Sequence, residues 1–232
     1  MRFKRALRFD GVDDYVMVTL PIPIDLVANN GLTAILIFKD NRWSGGESYL
    51  SVISSSGDSI ILIHSLPWTG GLLKCEYRSL TGWPNVDIIS NTSWFGRSIF
   101  VGVTMGIDWI VGNVYRKVYV DGNYVVSDTR DSLPRGSDVQ GIYIGATGPT
   151  FWNSDSYAYA VLIYNAVLTD SEMKYLYYNP FDPPRQDNLV LWLTPGSIDP
   201  VAGKWYDLSG NGNHGTIYGA QLVELEEEVI VK

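Results

Sequence analysis

The chain has 232 residues, of which 46% are hydrophobic and 18% charged, and this balance excludes an intrinsically disordered chain. Its formal net charge is −8 at pH 7, which argues against nucleic acid as a main partner because phosphate binding needs a concentrated basic surface. The single cysteine excludes an internal disulfide, and no apolar run approaches the ~20 residues of a membrane-spanning helix.

Strand signals dominate the chain up to residue 164. Short apolar runs, often alternating with polar residues, are bounded by Gly, Pro, Asn or Ser. The predicted strands cover 6–10, 15–19, 32–38, 49–54, 59–64, 72–77, 86–89, 99–105, 114–120, 124–126, 141–145 and 157–164. Asp121-Gly122-Asn123 predicts a tight hairpin turn, since Asp-Gly tolerates positive φ. About a dozen short strands predict an all-β antiparallel sandwich or barrel rather than alternating strands and helices.

One segment predicts a short helix. Thr169 is its expected N-cap, and Glu172, three residues later, would complete a capping box. Leu168 and Met173 have the spacing of a hydrophobic staple, which fixes the entry of the chain into a helix. The helix should end near Tyr178 because Asn-Pro follows.

A proline-rich linker at 179–187 separates a main body, residues 1–178, from a C-terminal segment, residues 188–232. This segment contains predicted strands at 189–193 and 216–222 around a glycine-rich loop. Its acidic stretch at 224–228 predicts a solvated edge or tail.

Three sequence blocks carry a resemblance to a known family. The first is ALRFDGVDDYV at 6–16, and the second is VYVDG at 118–122 with IYIG at 142–145 and VLIYNAVL at 161–168. The third is LVLWL at 189–193 with YDLSGNGNHGT at 206–216. Together they resemble laminin-G-like domains of the concanavalin A-like lectin/glucanase superfamily. The resemblance implies a jelly roll of two antiparallel sheets with one short helix.

The order of these blocks differs from the family, where the third block comes first. A sandwich lacking those strands would expose open sheet edges, so something must fill the gap. The strands of residues 188–232 could return to their own body as a circular permutation, or complete a neighbouring subunit. A fragment of a tandem array is the third alternative. The residues expected to fill the gap are Leu189, Leu191, Trp192, Thr216 and Ile217.

Loop tryptophans are the candidate carbohydrate-binding residues. Sugars present apolar ring faces, which exposed aromatic rings can cover. Trp43, Trp68, Trp83 and Trp152 lie near Gly, Pro, Ser or Asn in predicted loops. Each could instead cover the hydrophobic core, and as a set they could form a protein–protein contact.

A hard cation such as calcium is the only cofactor that the sequence suggests. Asp207, Asn211 and Asn213 could supply oxygens, and Asp13 could approach from the first block. The resemblance implies calcium in some relatives, but the family's usual Asp-Glu pair is Tyr159-Ala160 here. In the alternative interpretation, Asp207 and the asparagines bind turn amides and no cofactor is present.

Catalysis is not expected, because no Glu-x-Asp-x-x-Glu pattern of the superfamily's glycosidases is present. We predict a non-catalytic, lectin-like structural or adhesion module of an extracellular or virion fibre that contacts surface glycans. The alternative is a monomeric, circularly permuted carbohydrate-binding domain. Expected partners are further copies of the chain and glycans. The N-terminus lacks the apolar region of a secretory signal, and virion proteins need none.

Overall fold

The computed structural model describes residues 2–41, 46–66, 72–82, 85–89, 94–149 and 151–230. Within these ranges the chain forms two antiparallel sheets packed face to face, which confirms the predicted β-sandwich. None of the helices in these ranges has both the length and the apolar character needed to cross a membrane.

The elements follow one another in this order along the described chain. The strands are β1 (Arg2–Asp10), β2 (Tyr15–Asp25), β3 (Gly31–Asp40), β4 (Glu47–Ile53), β5 (Ser59–Leu66), β6 (Leu72–Glu76), β7 (Asn85–Ile89), β8 (Ser98–Asp108), β9 (Asn113–Val120), β10 (Asn123–Arg130), β11 (Asp138–Ile144), β12 (Asp155–Tyr164), β13 (Leu189–Leu193), β14 (Ile198–Asp199), β15 (Lys204–Trp205), β16 (Gly215–Tyr218) and β17 (Gln221–Ile230). The helices are α1 (Leu26–Asn29) and α2 (Asp170–Tyr178), with 3₁₀ turns at Gln186–Asn188 and Pro195–Ser197.

The two sheets differ in strand order. The first sheet runs β10-β9-β8-β3-β12-β1-β17, and β13 pairs with part of β12. The second sheet runs β14-β15-β16-β2-β11-β4-β5-β6-β7. Both sheets therefore combine strands of the main body with strands of the C-terminal segment.

The hydrophobic core lies between the sheets and follows the alternation of the strands. Val16, Val18 and Leu20 of β2 are buried in it, as are Ile142 and Ile144 of β11. The residues between them therefore point to the outer face of the second sheet, since successive side chains alternate across a strand.

Helix α2 covers the outer face of the first sheet. Thr169 caps it with the predicted capping box, and Met173 and Leu176 are buried in a second apolar cluster. A Cβ added to Gly102 of β8 would lie 1.9 Å from Cε of Met173, so the helix approaches the sheet closely. Strands β3 and β12 are thus buried on both faces, which explains their nearly continuous apolar sequences.

The C-terminal segment pairs with strands of the same chain. Leu189, Leu191 and Trp192 of β13 lie opposite Tyr164, Ile163 and Leu162 of β12. Thr216 and Ile217 of β16 lie opposite Met17 and Val16 of β2. The last strand of this segment, β17, pairs with β1, and the short strands β14 and β15 extend the second sheet beyond β16.

Some local predictions differ from the structure. The strand predicted at 216–222 is broken at Gly219, whose φ of +73° turns the chain from the second sheet to the first. The acidic stretch at 224–228, predicted as an edge or a tail, belongs to edge strand β17. Helix α1 was not predicted; Asp25 caps its single turn by accepting hydrogen bonds from the amides of Val27 and Ala28.

Candidate functional site

Three tyrosines from neighbouring strands form an aromatic strip on the outer face of the second sheet. We call Tyr15 of β2, Tyr143 of β11 and Tyr218 of β16 the tyrosine strip. The rings of Tyr15 and Tyr218 stack with centroids 4.5 Å apart and planes inclined by 15°. The centroids of Tyr15 and Tyr143 are 5.9 Å apart. Tyr218 is 45% exposed, and the other two are half-buried.

The phenol of Tyr15 is neutral at physiological pH. Desolvation and the nearby phenols of Tyr218 and Tyr143 raise the pKa of Tyr15 above its ordinary value. A neutral phenol both donates and accepts a hydrogen bond. The strip therefore offers apolar ring surface and hydroxyl groups side by side.

Trp152 is a second aromatic group on the same face. Its ring stacks on His64 of β5, with centroids 5.5 Å apart and planes inclined by 25°. His64 is fully buried, and its Nε2 lies 3.4 Å from Oε1 of Glu76. Neither ring nitrogen of His64 makes a hydrogen bond within the described residues. The indole of Trp152 is 37% exposed above this histidine.

The loop that carries Trp152 is fixed at several points. The amide of Ser48 donates to the Trp152 carbonyl at 2.8 Å, and Asn153 Nδ2 donates to the Asp14 carbonyl at 3.2 Å. Trp152 itself has a φ of +54°, which is uncommon for a bulky residue and requires support from its surroundings. Because Asp14 precedes Tyr15, the second contact joins this loop to the start of the tyrosine strip.

The sequence also predicted other tryptophans in loops. Trp43, Trp68 and Trp83 lie outside the described residues. Trp94, also in a predicted loop, is buried in the core against Phe38 and Tyr49.

The predicted cation ligands Asp207, Asn211 and Asn213 lie together in one loop. Asp207 Oδ1 accepts hydrogen bonds from the amides of Trp192 and Ser209, and Oδ2 accepts from the Asn213 amide and the Ser209 hydroxyl. Asn211 Nδ2 donates to the Leu189 carbonyl at 2.8 Å. The Asp207 carboxylate therefore holds the loop together, and Asp207 and Asn211 both attach it to β13.

Asp13 lies apart from that loop. Tyr218 pairs with Tyr15 and Gly215 with Val18, so the loop preceding Gly215 and the turn preceding Tyr15 lie at opposite ends of this strand pair. At about 3.3 Å per residue the paired section alone spans about 10 Å. The structure therefore does not bring Asp13 to Asp207, Asn211 and Asn213.

Asp13 instead belongs to an acidic cluster with Asp10 and Asp14, whose carboxylate oxygens lie within 4.8 Å of one another. Burial raises the pKa of Asp14, and the charges of Asp10 and Asp13 act in the same direction. The hydrogen bond that the Asp10 amide donates to Asp14 lowers this pKa, but the net shift is upward. These three carboxylates could supply oxygens to a hard cation.

Sequence reasoning missed the tyrosine strip, although part of its signal is in the sequence. Tyr15 and Tyr143 alternate with inward-facing Val16, Ile142 and Ile144, so both should point away from the core. That the two tyrosines meet, and that Tyr218 joins them, depends on which strands are neighbours and in which register.

No protein-family model matches the chain, and no curated protein matches it at a significant level. A solved structure of a candidate carbohydrate-binding protein from Bacteroides ovatus matches with a TM-score of 0.69 at 16% identity, covering 100% of this chain and 63% of that protein. The CBM40 of the Ruminococcus gnavus IT-sialidase matches with a TM-score of 0.54 at 14% identity, over 76% of this chain and 98% of the module.

The receptor binding domain of botulinum neurotoxin D matches with a TM-score of 0.52 at 12% identity, covering 75% of this chain and 43% of that one. This chain thus spans less than two thirds of the Bacteroides protein and of the neurotoxin chain. At these identities the similarity shows a shared fold, the β-sandwich.

Proposed function

We propose that the chain is a non-catalytic, lectin-like carbohydrate-binding module that contacts glycans through the outer face of its second sheet. The tyrosine strip is the observation that carries the proposal. Sugar rings combine apolar C–H faces with hydroxyl groups, and a binding surface for them needs aromatic area beside hydrogen-bonding groups. Tyr15, Tyr143 and Tyr218 supply both on three neighbouring strands.

Trp152 extends the same surface. Tyr143 lies on β11 and the histidine beneath Trp152 on β5, with β4 between them. Two strand spacings of about 4.8 Å, with an offset of two residues from Leu62 to His64 along β5, place the aromatic groups roughly 12 Å apart. A glycan of two or more sugar units would be long enough to contact both.

The structural neighbours add support at the level of the fold. The Bacteroides protein is described as carbohydrate binding, and the CBM40 was solved bound to α2,3-sialyllactose. That module comes from a sialidase, so a fold of this type can serve an enzyme without being its catalytic part. Because one fold hosts many functions, the residues of this chain must carry the argument.

A glycan array followed by calorimetry with lactose and α2,3-sialyllactose tests the proposal. Tyr218→Ala should weaken binding of the best saccharide about tenfold, as expected for the loss of an aromatic contact with the ligand. Tyr115→Ala is the matched control, because Tyr115 is 46% exposed but lies on the first sheet. The saccharide should also remain uncleaved after prolonged incubation.

Two results would overturn the proposal. One is the absence of saccharide binding across the array, with and without added calcium. The other is an equal loss of affinity in Tyr218→Ala and Tyr115→Ala, which would place the contact elsewhere or make it non-specific.

The predicted role in an extracellular or virion fibre is a second proposal. The displaced C-terminal strands motivate it, because two copies that exchange β13, β16 and β17 would form the same strand pairs as one chain. Light scattering on the full chain across a range of concentrations tests it. The proposal expects dimers or larger species, and a monomer at every concentration contradicts it.

A further inference from the structure

A cavity of about 320 Å³ opens where the C-terminal segment meets the main body, near the Asp25 end of β2. Five parts of the chain line it: the end of β2, helix α1, the residue after β12, the start of β13 with the preceding turn, and the glycine-rich loop. It lies toward the opposite end of β2 from Tyr15 and is therefore separate from the tyrosine strip.

One wall of the cavity is apolar and rigid. Thr19 pairs with Gly141 and Ile24 with Val139, so residues 20–23 of β2 lie opposite a single residue of β11. Pro21 and Pro23 have no amide hydrogen for the ladder, which favours such a bulge. Ile22, between them, is 83% exposed beside the cavity.

The polar lining consists mostly of hydrogen-bond acceptors. The amide nitrogens of Asn29, Asn211 and Asn213 donate to the backbone carbonyls of Asp25, Leu189 and Val190. Within the described residues, no hydrogen bond reaches the Oδ1 atoms of these three asparagines or the carboxylate of Asp187.

Asn165 is oriented the other way. Its Oδ1 accepts a hydrogen bond from Asn188 at 2.9 Å, which leaves its NH₂ group as a donor. The available groups of the lining are thus several acceptor oxygens and one amide donor.

We propose that this cavity binds a neutral monosaccharide unit. Sugar hydroxyls would donate to the asparagine oxygens and Asp187, and the C–H face of the ring would lie against the Pro21–Pro23 wall. The described lining includes no Lys, Arg or His, so an acidic sugar would meet carboxylates without a compensating cation. This site does not depend on the tyrosine strip.

The size of the cavity favours a sugar over a bare cation. A volume of 320 Å³ equals that of about ten liquid water molecules. A calcium ion needs six to eight oxygens at about 2.3–2.6 Å, a far smaller cage.

Titration of ¹⁵N-labelled protein with D-glucose, D-galactose, D-mannose and L-fucose tests the proposal. At least one sugar should shift the side-chain NH₂ resonances of Asn165, Asn211 and Asn213 saturably at millimolar concentration. Asp187→Ala should weaken this binding about tenfold, since a hydrogen bond to a charged group is lost. Ile22→Ala should weaken it severalfold.

Matched controls are Asp131→Ala, an exposed aspartate elsewhere, and Ile110→Ala, since Ile110 is 96% exposed. Both should leave the affinity unchanged, as should Tyr218→Ala. D-glucuronic acid should bind more weakly than D-glucose.

The proposal is overturned if none of the four sugars shifts these resonances, or if calcium chloride alone shifts them saturably. Equal affinities for Asp187→Ala and Asp131→Ala would also overturn it. If the protein binds saccharides on the array but none of these resonances shifts, only the cavity site is refuted. If the resonances shift but the array shows no binding, only the tyrosine strip is refuted.

Discussion

Arg116 forms a buried ion pair with Asp128 of the same sheet, and its guanidinium also contacts the second sheet. Its Nε donates to Asp128 Oδ1 at 2.9 Å, and its Nη2 lies 2.5 Å from Oδ2. Arg116 lies on β9 of the first sheet, and its Nη1 donates to the Cys75 carbonyl of the second sheet at 3.3 Å. The central carbon of its guanidinium lies 4.8 Å from the centroid of the Tyr77 ring. The Arg116 side chain is only 1% exposed, so its charge depends on these partners.

Asp128→Asn should lower the free energy of unfolding by about 3–5 kcal/mol, because it leaves a buried cation without its counterion. Arg130→Ala is the control. Arg130 also contacts Asp128, at 2.7 Å, but is 47% exposed, and an exposed pair contributes about 0–1 kcal/mol. The double variant Arg116→Met/Asp128→Leu should recover most of the loss, since apolar packing can replace a buried pair.

Urea unfolding followed by tryptophan fluorescence measures these differences. Burial alone would raise the pKa of Asp128, but the hydrogen bonds and charges of Arg116 and Arg130 lower it below 3.8. The stabilisation by this ion pair is therefore complete above the pKa of Asp128 in the unfolded chain. It is lost as the pH falls through the lower pKa of Asp128 in the folded protein. The difference between wild type and Asp128→Asn should shrink below about pH 4. A loss under 1 kcal/mol at pH 7 would refute the reasoning.

Two further predictions concern a turn and a helix cap. Gly219→Ala should destabilise the chain by at least about 1 kcal/mol more than Gly112→Ala in urea unfolding. Both glycines have φ near +75°. A Cβ added to Gly219 would lie 1.9 Å from Asp14 Oδ1, whereas a Cβ added to Gly112 would meet nothing within 4 Å. Equal losses of unfolding free energy in the two variants would contradict this prediction. Thr169→Ala should cost about 1 kcal/mol by removing the capping box, and an unchanged thermal midpoint would show that the cap contributes little.

Local patterns were sufficient to predict most of the fold. The helix could be placed because Thr169 and Glu172 form a cap whose partners are three residues apart. The β9–β10 hairpin could be placed because Asp121 and Gly122 both adopt positive φ, as its turn requires. In each case the physical cause lies within a few residues of sequence.

The candidate sites depend on long-range register, which local patterns do not contain. Asp13 and Asp207 belong to blocks that follow each other in the resembled family, yet antiparallel pairing of β2 with β16 separates them here. Tyr218 was not singled out because its strand was predicted to continue through Gly219. The register of β16 with β2 places Tyr218 opposite Tyr15.

Both candidate sites require residues from each side of the proline-rich linker. The strip combines Tyr15 with Tyr218, and the cavity combines Ile22 with Asn213. The linker is attached to α2, because Arg185 Nε donates to Glu172 Oε1 at 2.5 Å. This contact fixes where β13 begins relative to the helix on the first sheet. The geometry of both sites therefore depends on the contact between Arg185 and Glu172, and neither of these two residues lines the cavity or belongs to the tyrosine strip.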